Sequence, residues 1–395
     1  MPIVINNFRE LRDTYTTWEA LSEFLKSPEG GSLRVIDAPG RYAIVRYTKG
    51  VSDFTKPHVP LFRSVVWDKE ANQSACVAPP KAEQGAPPSG TSVIVSDFVD
   101  GVMICGFRPV DGSEPRLATR TSIGARGTFY STKTFAELFE SAVPAGGAAT
   151  EWLTRILEPG QFASFVLQHP EHKTVAQVPY PRIFVTSIGS VDSSGDVSIN
   201  PFPTSEVLRT FLPQAYPAGD ADAQNLLTQI GQGRNHTWQG LVFQEANTLR
   251  RWRLRNPQYV LVRTLRGAEA SPMARFVRLR ARGQMKQYLS YFKEENKMMW
   301  QFEQTLRQRS QELYDAYNAM HKQKTKGMRD LPYCLRPHVY ALHGKYLAGF
   351  TNGNPSSVLK STVIDYVNTL AEADQLKLLE GDRVPLAPHP RPIVS

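Results

Sequence analysis

Phe98-Val99-Asp100-Gly101-Val102-Met103-Ile104 is the stretch on which the reading of this chain turns. Apolar residues flank an Asp-Gly pair on both sides. Taken alone, that pair reads as the tight turn of a β-hairpin, because Asp and Gly tolerate the positive φ that such turns need. Taken with the segments on either side, it reads as one member of an ordered series of motifs.

Working outward, residues 1–75 begin with Thr17, Trp18, Leu21, Phe24 and Leu25 at helical spacing. Strand-like runs follow at Leu33–Ile36, Tyr42–Tyr47 and Ser64–Trp67. Residues 78–90 form a Pro/Gly-rich loop. From 92 to 266 short apolar runs alternate with turn residues: Val102–Cys105, Phe162–Leu167, Arg182–Val185, Leu241–Phe243 and Tyr259–Val262. Thr134–Ala142 and Ser205–Leu212 are the helix candidates among them. This pattern predicts antiparallel or mixed sheets in an α+β domain. After residue 270 the period becomes helical, and residues 294–324, which lack Pro and Gly, predict a long helix. Val358–Leu370 predicts another, and the proline-rich residues 381–395 an irregular tail. The expected domains are 1–75, packing on 76–268, then a helical domain over 269–380.

Composition narrows the function classes. The 395 residues are 41% hydrophobic and 10% aromatic, enough for real cores. No run of 18 apolar residues is present, and the first residues do not read as a secretory leader, so neither a membrane span nor secretion is expected. Three widely spaced cysteines, Cys76, Cys105 and Cys334, exclude a disulfide scaffold and fit a reducing compartment. The net charge is +9 and unevenly placed. Residues 250–345 hold 21 Lys and Arg against 7 Asp and Glu; the rest of the chain holds 25 against 30. A segregated basic zone of this kind attracts polyanions; a solvated helical face is the other reading.

Most chemical signatures fail. There is no GxxxxGK[ST], GxGxxG, HExxH or GxSxG. His169 and His172 flank a proline, which fits a turn better than a metal site. One series survives. Arg63-Ser64-Val65-Val66 and Ala78-Pro79-Pro80-Lys81 precede the Asp100-Gly101 stretch. Thr119–Gly124, Ser164–Val175, Gln239-Gly240-Leu241-Val242-Phe243 and Trp252-Arg253-Leu254-Arg255 follow it. In that order the segments resemble the covalent nucleotidyltransferase superfamily, and within it the ATP-dependent RNA ligases of the phage tRNA-repair type. The resemblance spans roughly residues 60–266. It implies an α+β nucleotidyltransferase-like domain with ATP-grasp-like antiparallel sheets, followed by an all-helical C-terminal domain.

The departures from the family pattern fall on the chemistry. The resemblance places the nucleotidyl-accepting lysine of a KxDG motif at Phe98, which has no nucleophilic atom. Asp100 and Gly101 keep the remainder of that motif. The ribose-binding glutamate of the third motif corresponds to Val166, and the metal-organising glutamate of the fourth to Gln239, an uncharged amide and a poor ligand for a hard cation. The two lysines of the fifth motif correspond to Arg253 and Arg255, which keep positive charge. The resemblance therefore implies a catalytically inactive RNA ligase-like protein that retains RNA, nucleotide or protein-partner binding, with no cofactor. Phosphate is expected at Arg63, Arg120, Arg253 and Arg255, and nucleic acid at Arg250, Arg251, Arg275, Arg278 and Arg282.

Two alternatives stand beside that reading. One is an active ATP-dependent ligase using ATP and Mg2+, its nucleophile relocated to Lys81, with Lys133 and Lys173 as further candidates. The other is a viral structural or assembly protein on the same fold. RNA or another polyanion bound through residues 250–345 is the expected partner, and the cytoplasm or a virion the expected location. Phe98, Val166 and Gln239 are expected to converge on one cleft between two sheets.

Overall fold

The computed structural model describes residues 2–37, 39–129, 131–172, 174–203, 206–217, 222–269, 271–351 and 357–382. Lys173 and residues 383–395 of the expected tail lie outside the described residues, as does Ser205 at the start of one predicted helix. The chain is α+β and divides after Arg263 into two compact units, the first carrying the sheets and the second helical.

Among the described residues the strands of the first unit form three sheets. The four-stranded sheet runs Arg34–Asp37, Tyr42–Arg46, Val65–Asp68, Gln73–Val77, each strand antiparallel to the next. The six-stranded sheet has the order Ile3–Ile5, Val197–Asn200, Arg182–Val191, Gln161–Gln168, Val102–Phe107, Arg116–Ala118. The five-stranded sheet has the order Ala215–Tyr216, Val93–Asp97, Gly240–Glu245, Arg251–Arg255, Glu83–Gln84, with only the last pair parallel.

Period-two alternation decides which side chains meet which neighbour. In the six-stranded sheet, Ile104, Phe165, Leu167 and Val185 point to one face. There they pack on Leu138 and Phe139 of helix Phe135–Glu140 and on Trp152 and Leu153 of helix Ala149–Ile156. The other face contributes Cys105, Phe107 and Phe162 to a core shared with Phe8, Trp18, Leu21, Phe62 and Trp67. Residues 1–75 and the strands that follow them are thus halves of one core. In the five-stranded sheet Val95, Leu241, Phe243 and Trp252 pack on Leu226 and Leu227 of helix Ala223–Gly231.

Asp100-Gly101 is not a hairpin turn. The strand before it, Val93–Asp97, pairs within the five-stranded sheet, whereas the strand after it, Val102–Phe107, pairs within the six-stranded sheet. The pair marks the point where the chain crosses between sheets. A glycine is required because the chain runs hard against the neighbouring strand: a Cβ at position 101 would collide with the Leu167 carbonyl oxygen and with Val166.

Tyr259–Val262, expected as a strand, lies within helix Pro257–Arg266. The helix start is local. Pro257 occupies its first position, where a missing N–H costs nothing, and the Asn256 side-chain oxygen accepts the Gln258 N–H at 3.0 Å. The second unit holds the expected long helix as Asn296–Tyr317, continued by a π turn over Asn318–Lys322. Lys360–Thr369 and Glu372–Glu380 follow, with Phe276, Tyr288, Leu306, Leu313, Val363 and Leu378 buried. No helix among the described residues is long and apolar enough to cross a membrane.

Candidate functional site

A cleft of about 420 Å3 is lined by residues of both the five- and the six-stranded sheet. Alternation supplies its walls: Ile94 and Ser96, Val242 and Gln244, Arg251 and Arg253 from one sheet, Met103, Val166 and Thr186 from the other. Phe98, Val99 and Gly101 close one end as the chain crosses between sheets, and Pro201-Phe202-Pro203 and Leu212-Pro213 add apolar cover. Arg63 and Lys81 complete the lining. The cleft is therefore an apolar slot with cations along one side.

Those cations have little to neutralise them. None of Arg46, Arg63, Lys81, Arg120, Arg251, Arg253 or Arg255 forms an ion pair with a carboxylate among the described residues. Arg63 donates to the Pro79 carbonyl at 3.2 Å, and Arg251 to the Pro80 carbonyl at 2.9 Å. Prolines supply acceptors without donors, so Ala78–Lys81 holds both guanidiniums while presenting Lys81 to the cleft. The Nε atoms of Arg46, Arg253 and Arg255 are buried and make no hydrogen bond among the described residues. Burial and repulsion between like charges push Arg46, Arg63, Lys81, Arg251, Arg253 and Arg255 down. Arg253 is lowered by burial, Arg63 and Arg263; Arg255 by burial, Arg253 and Arg263. Lys81 is lowered by burial, then by Arg253, Lys49, Arg63 and Arg120. Arg251 is pushed down to about 9 by burial, Arg63 and Arg253. Concentrated charge without counter-charge, half removed from water, is the electrostatic form of an anion site.

Phe98 and Val166 line this cleft together with Lys81, Arg63 and Arg253. Arg255 lies over the Phe98 ring, 5.3 Å from its centroid. Arg120 donates from Nε to the Arg63 carbonyl at 3.1 Å. Gln239, expected in the cleft, is buried and does not line it. The reason is parity: even-numbered residues of Gly240–Glu245 face the cleft, so Val242 and Gln244 are the residues found there. Alternation along Gln239–Gln244 was the signal that could have found them.

Asp100 serves the fold. Its carboxylate accepts the Val175 and Ala176 N–H groups at 3.1 and 3.0 Å and the Tyr259 hydroxyl at 2.8 Å. Asp97, the carboxylate among the lining residues, accepts the Tyr216 hydroxyl at 2.9 Å and the Trp238 N–H at 2.8 Å. The cleft therefore offers a hard cation such as Mg2+ a single carboxylate among the described residues, Asp97, whose described hydrogen bonds all fall on Oδ1. Among the described residues no group of three His, Cys, Asp or Glu is placed to hold a metal. Lys133 is paired with Glu171 at 2.6 Å and does not line the cleft.

Two of the five arginines expected to form a nucleic-acid surface are internal. Arg275 is 1% and Arg278 7% exposed. Arg275 pairs with Glu295 at 3.2 Å and Arg278 with Glu269 at 2.6 Å. Arg280 reaches Glu303, and Arg282 pairs with Glu372 at 3.6 Å. Arg250 pairs with Glu83 at 2.6 Å. Arg275 and Arg278 thus use their charge inside the fold, whereas Arg250 and Arg282 stay exposed and each pairs with a half-exposed carboxylate. Arg251 is the exception, since it faces the cleft. Glu295 holds Arg266, Arg275 and the Tyr288 hydroxyl together. Burial alone would raise the Glu295 carboxyl, but Tyr288, Arg266 and Arg275 outweigh it and hold it below the usual range. Glu295→Ala, which strands two buried guanidiniums, is expected to cost about 3–5 kcal/mol in urea denaturation. In the unaltered protein the contribution of Glu295 is full above its unfolded pKa and fades as pH falls through the lower folded value.

No family model matches the chain, and no curated protein matches it. Solved structures give a distant likeness. Two forms of an archaeal ATP-dependent RNA ligase match at 10% and 13% identity, each with a TM-score of 0.41 and covering 69% of this chain and 68% of theirs. A protein described as an ATP-dependent DNA ligase of Aquifex aeolicus matches at 13% identity and a TM-score of 0.39, covering 69% of each chain. The architecture is established by the sheets themselves; the likeness adds no assignment of activity.

Proposed function

We propose that the cleft binds a nucleotide, or the phosphorylated end of an RNA chain, without forming a covalent bond to it. The observation that carries this reading is the ring of cations without carboxylate partners beside an apolar slot. A nucleotide has the matching halves, a flat apolar base and a multiply charged phosphate group. Arg63, Arg251 and Arg253 suit bidentate contact with phosphate oxygens, while Met103 and Val166 offer the base a dry wall. Phe98, held under Arg255, brings a ring rather than an amine to this cleft.

Calorimetry with ATP and AMP tests the reading. Binding is expected to weaken steeply as salt rises, because phosphate contacts are screened. Undetectable binding at low salt would refute it and favour a structural or assembly role.

One observation favours a covalent reading. Lys81 lines the same cleft, and its amine is pushed below the ordinary range. A deprotonated Lys81 Nζ attacking the α-phosphorus of ATP would form a P–N bond and break the α–β bridging P–O bond, releasing pyrophosphate. Label from α-32P ATP that survives denaturation, and is lost in Lys81→Arg, would establish that route. The non-covalent reading expects no retained label.

A further inference from the structure

Cys76 and Cys105 belong to different sheets, yet they meet. Cys76 lies on Gln73–Val77 of the four-stranded sheet and Cys105 on Val102–Phe107 of the six-stranded sheet. Both are buried in the same core, 0% and 2% exposed, and the Cys76 thiol donates to the Cys105 sulfur. The pair sits one step behind the cleft. Met103 and Val166, opposite each other on neighbouring strands, line the cleft. The next rung on the same face is Cys105 opposite Ser164, with Sγ and Oγ 3.9 Å apart.

Buried thiols are ordinarily inert core residues. These two differ in character. The hydrogen bond from Cys76 outweighs burial and, with Ser164 and the Arg63 charge, holds the Cys105 thiol below its ordinary value. Burial and Cys105 push the Cys76 thiol up. A sulfur that favours the thiolate thus touches a protonated thiol, as an attacking cysteine touches its resolving partner. Cys76 is also tied to the cleft along the chain. Ala78–Lys81 begins two residues later, and its Pro79 and Pro80 carbonyls hold Arg63 and Arg251.

From this placement we infer that Cys76 and Cys105 form a reversible dithiol–disulfide pair at the back of the cleft, closed by hydrogen peroxide and opened by a thiol reductant. The Cys105 thiolate attacks one peroxide oxygen; an S–O bond forms, the O–O bond breaks, and hydroxide leaves and takes up the proton that Cys105 lost. The Cys76 sulfur then attacks Cys105; an S–S bond forms, the S–O bond breaks, and water leaves with the Cys76 proton. Two thiols together lose two electrons and one peroxide becomes two waters. A disulfide holds its sulfurs at about 2.0 Å, closer than thiols in contact. Cys76 is therefore drawn toward Cys105, and the segment that holds Arg63 and Arg251 is drawn with it.

Peptide mapping of the full chain tests the pair, after treatment with hydrogen peroxide and trapping of the remaining thiols with iodoacetamide. The peptides that hold Cys76 and Cys105 are expected to appear joined, less two hydrogens, and to separate with dithiothreitol. Cys334→Ser, which removes the remaining thiol, should leave that link unchanged. Binding of ATP should weaken by roughly five- to 100-fold in the linked protein and return on reduction. Cys76→Ala should bind ATP as the reduced parent does and ignore peroxide. The inference is overturned if peroxide leaves both thiols free in the folded protein, if it joins them only after unfolding in urea, or if the linked protein binds ATP as the reduced protein does. The disulfide itself does not rest on the nucleotide reading, whereas its effect on binding does. Failure of the reduced protein to bind ATP would overturn the reading of the cleft, and the joined peptides would still decide the pair.

Discussion

Arg253→Gln is expected to weaken ATP binding by roughly 10- to 100-fold and, in the same protein, to raise the melting temperature. The first effect follows from losing a charge-assisted contact to phosphate, worth about 1.5–3 kcal/mol. The second follows from what Arg253 faces without a ligand. Its Nε is buried with no hydrogen bond among the described residues, and Arg63 and Arg263 repel it. Removing the charge relieves that repulsion and frees no buried partner. A melting temperature higher by a few degrees would fit a gain on the order of 1 kcal/mol. Opposite signs for binding and stability are the mark of a site held under electrostatic strain for a ligand. Arg253→Lys keeps the charge but not the fork, so it should recover part of the affinity and none of the stability. A variant that binds ATP normally, or that melts lower while binding is lost, would show that Arg253 is part of the fold alone.

The largest loss of stability is expected at Asp100. Asp100→Ala would leave the Val175 and Ala176 N–H groups and the Tyr259 hydroxyl without their acceptor, behind a wall only 7% exposed. Unmade bonds of this kind cost about 1–3 kcal/mol each, so the variant should lose on the order of 3–6 kcal/mol in urea denaturation or fail to accumulate. Tyr259→Phe removes one donor and should cost about 1–2 kcal/mol. Asp100→Asn keeps one acceptor oxygen and should fall between them. Because the Asn and Phe changes touch the same bond, their effects should not add. Folded Asp100→Asn should bind ATP much as the parent does, since the carboxylate does not line the cleft. A stable Asp100→Asn with abolished binding would place this carboxylate in the site instead.

Much of the architecture was legible because it is local. Trp252-Arg253-Leu254-Arg255 alternates, so the same four letters that suggested a phosphate-binding strand also say that both arginines share one face. The strand at Phe162–Leu167 and the long helix after residue 294 were visible for the same reason. Tyr259–Val262 misled because four apolar residues carry too little periodicity to separate strand from helix, and the Asn256-Pro257 start was overlooked. Helices Ala149–Ile156 and Ala223–Gly231 were missed: each is short, and each is held by the sheet it covers.

What the order of amino acids determined alone is therefore periodic: which residues form strands or helices, which of them share a face, and that positive charge gathers after residue 250. What only the tertiary structure decided is partnership. Arg275 and Arg278 found Glu295 and Glu269, whereas Arg63, Arg251 and Arg253 converged without pairing to a carboxylate among the described residues. A run of arginines carries the same charge in either setting. Its use depends on what packs opposite, and that is set by strands and helices far apart in the chain.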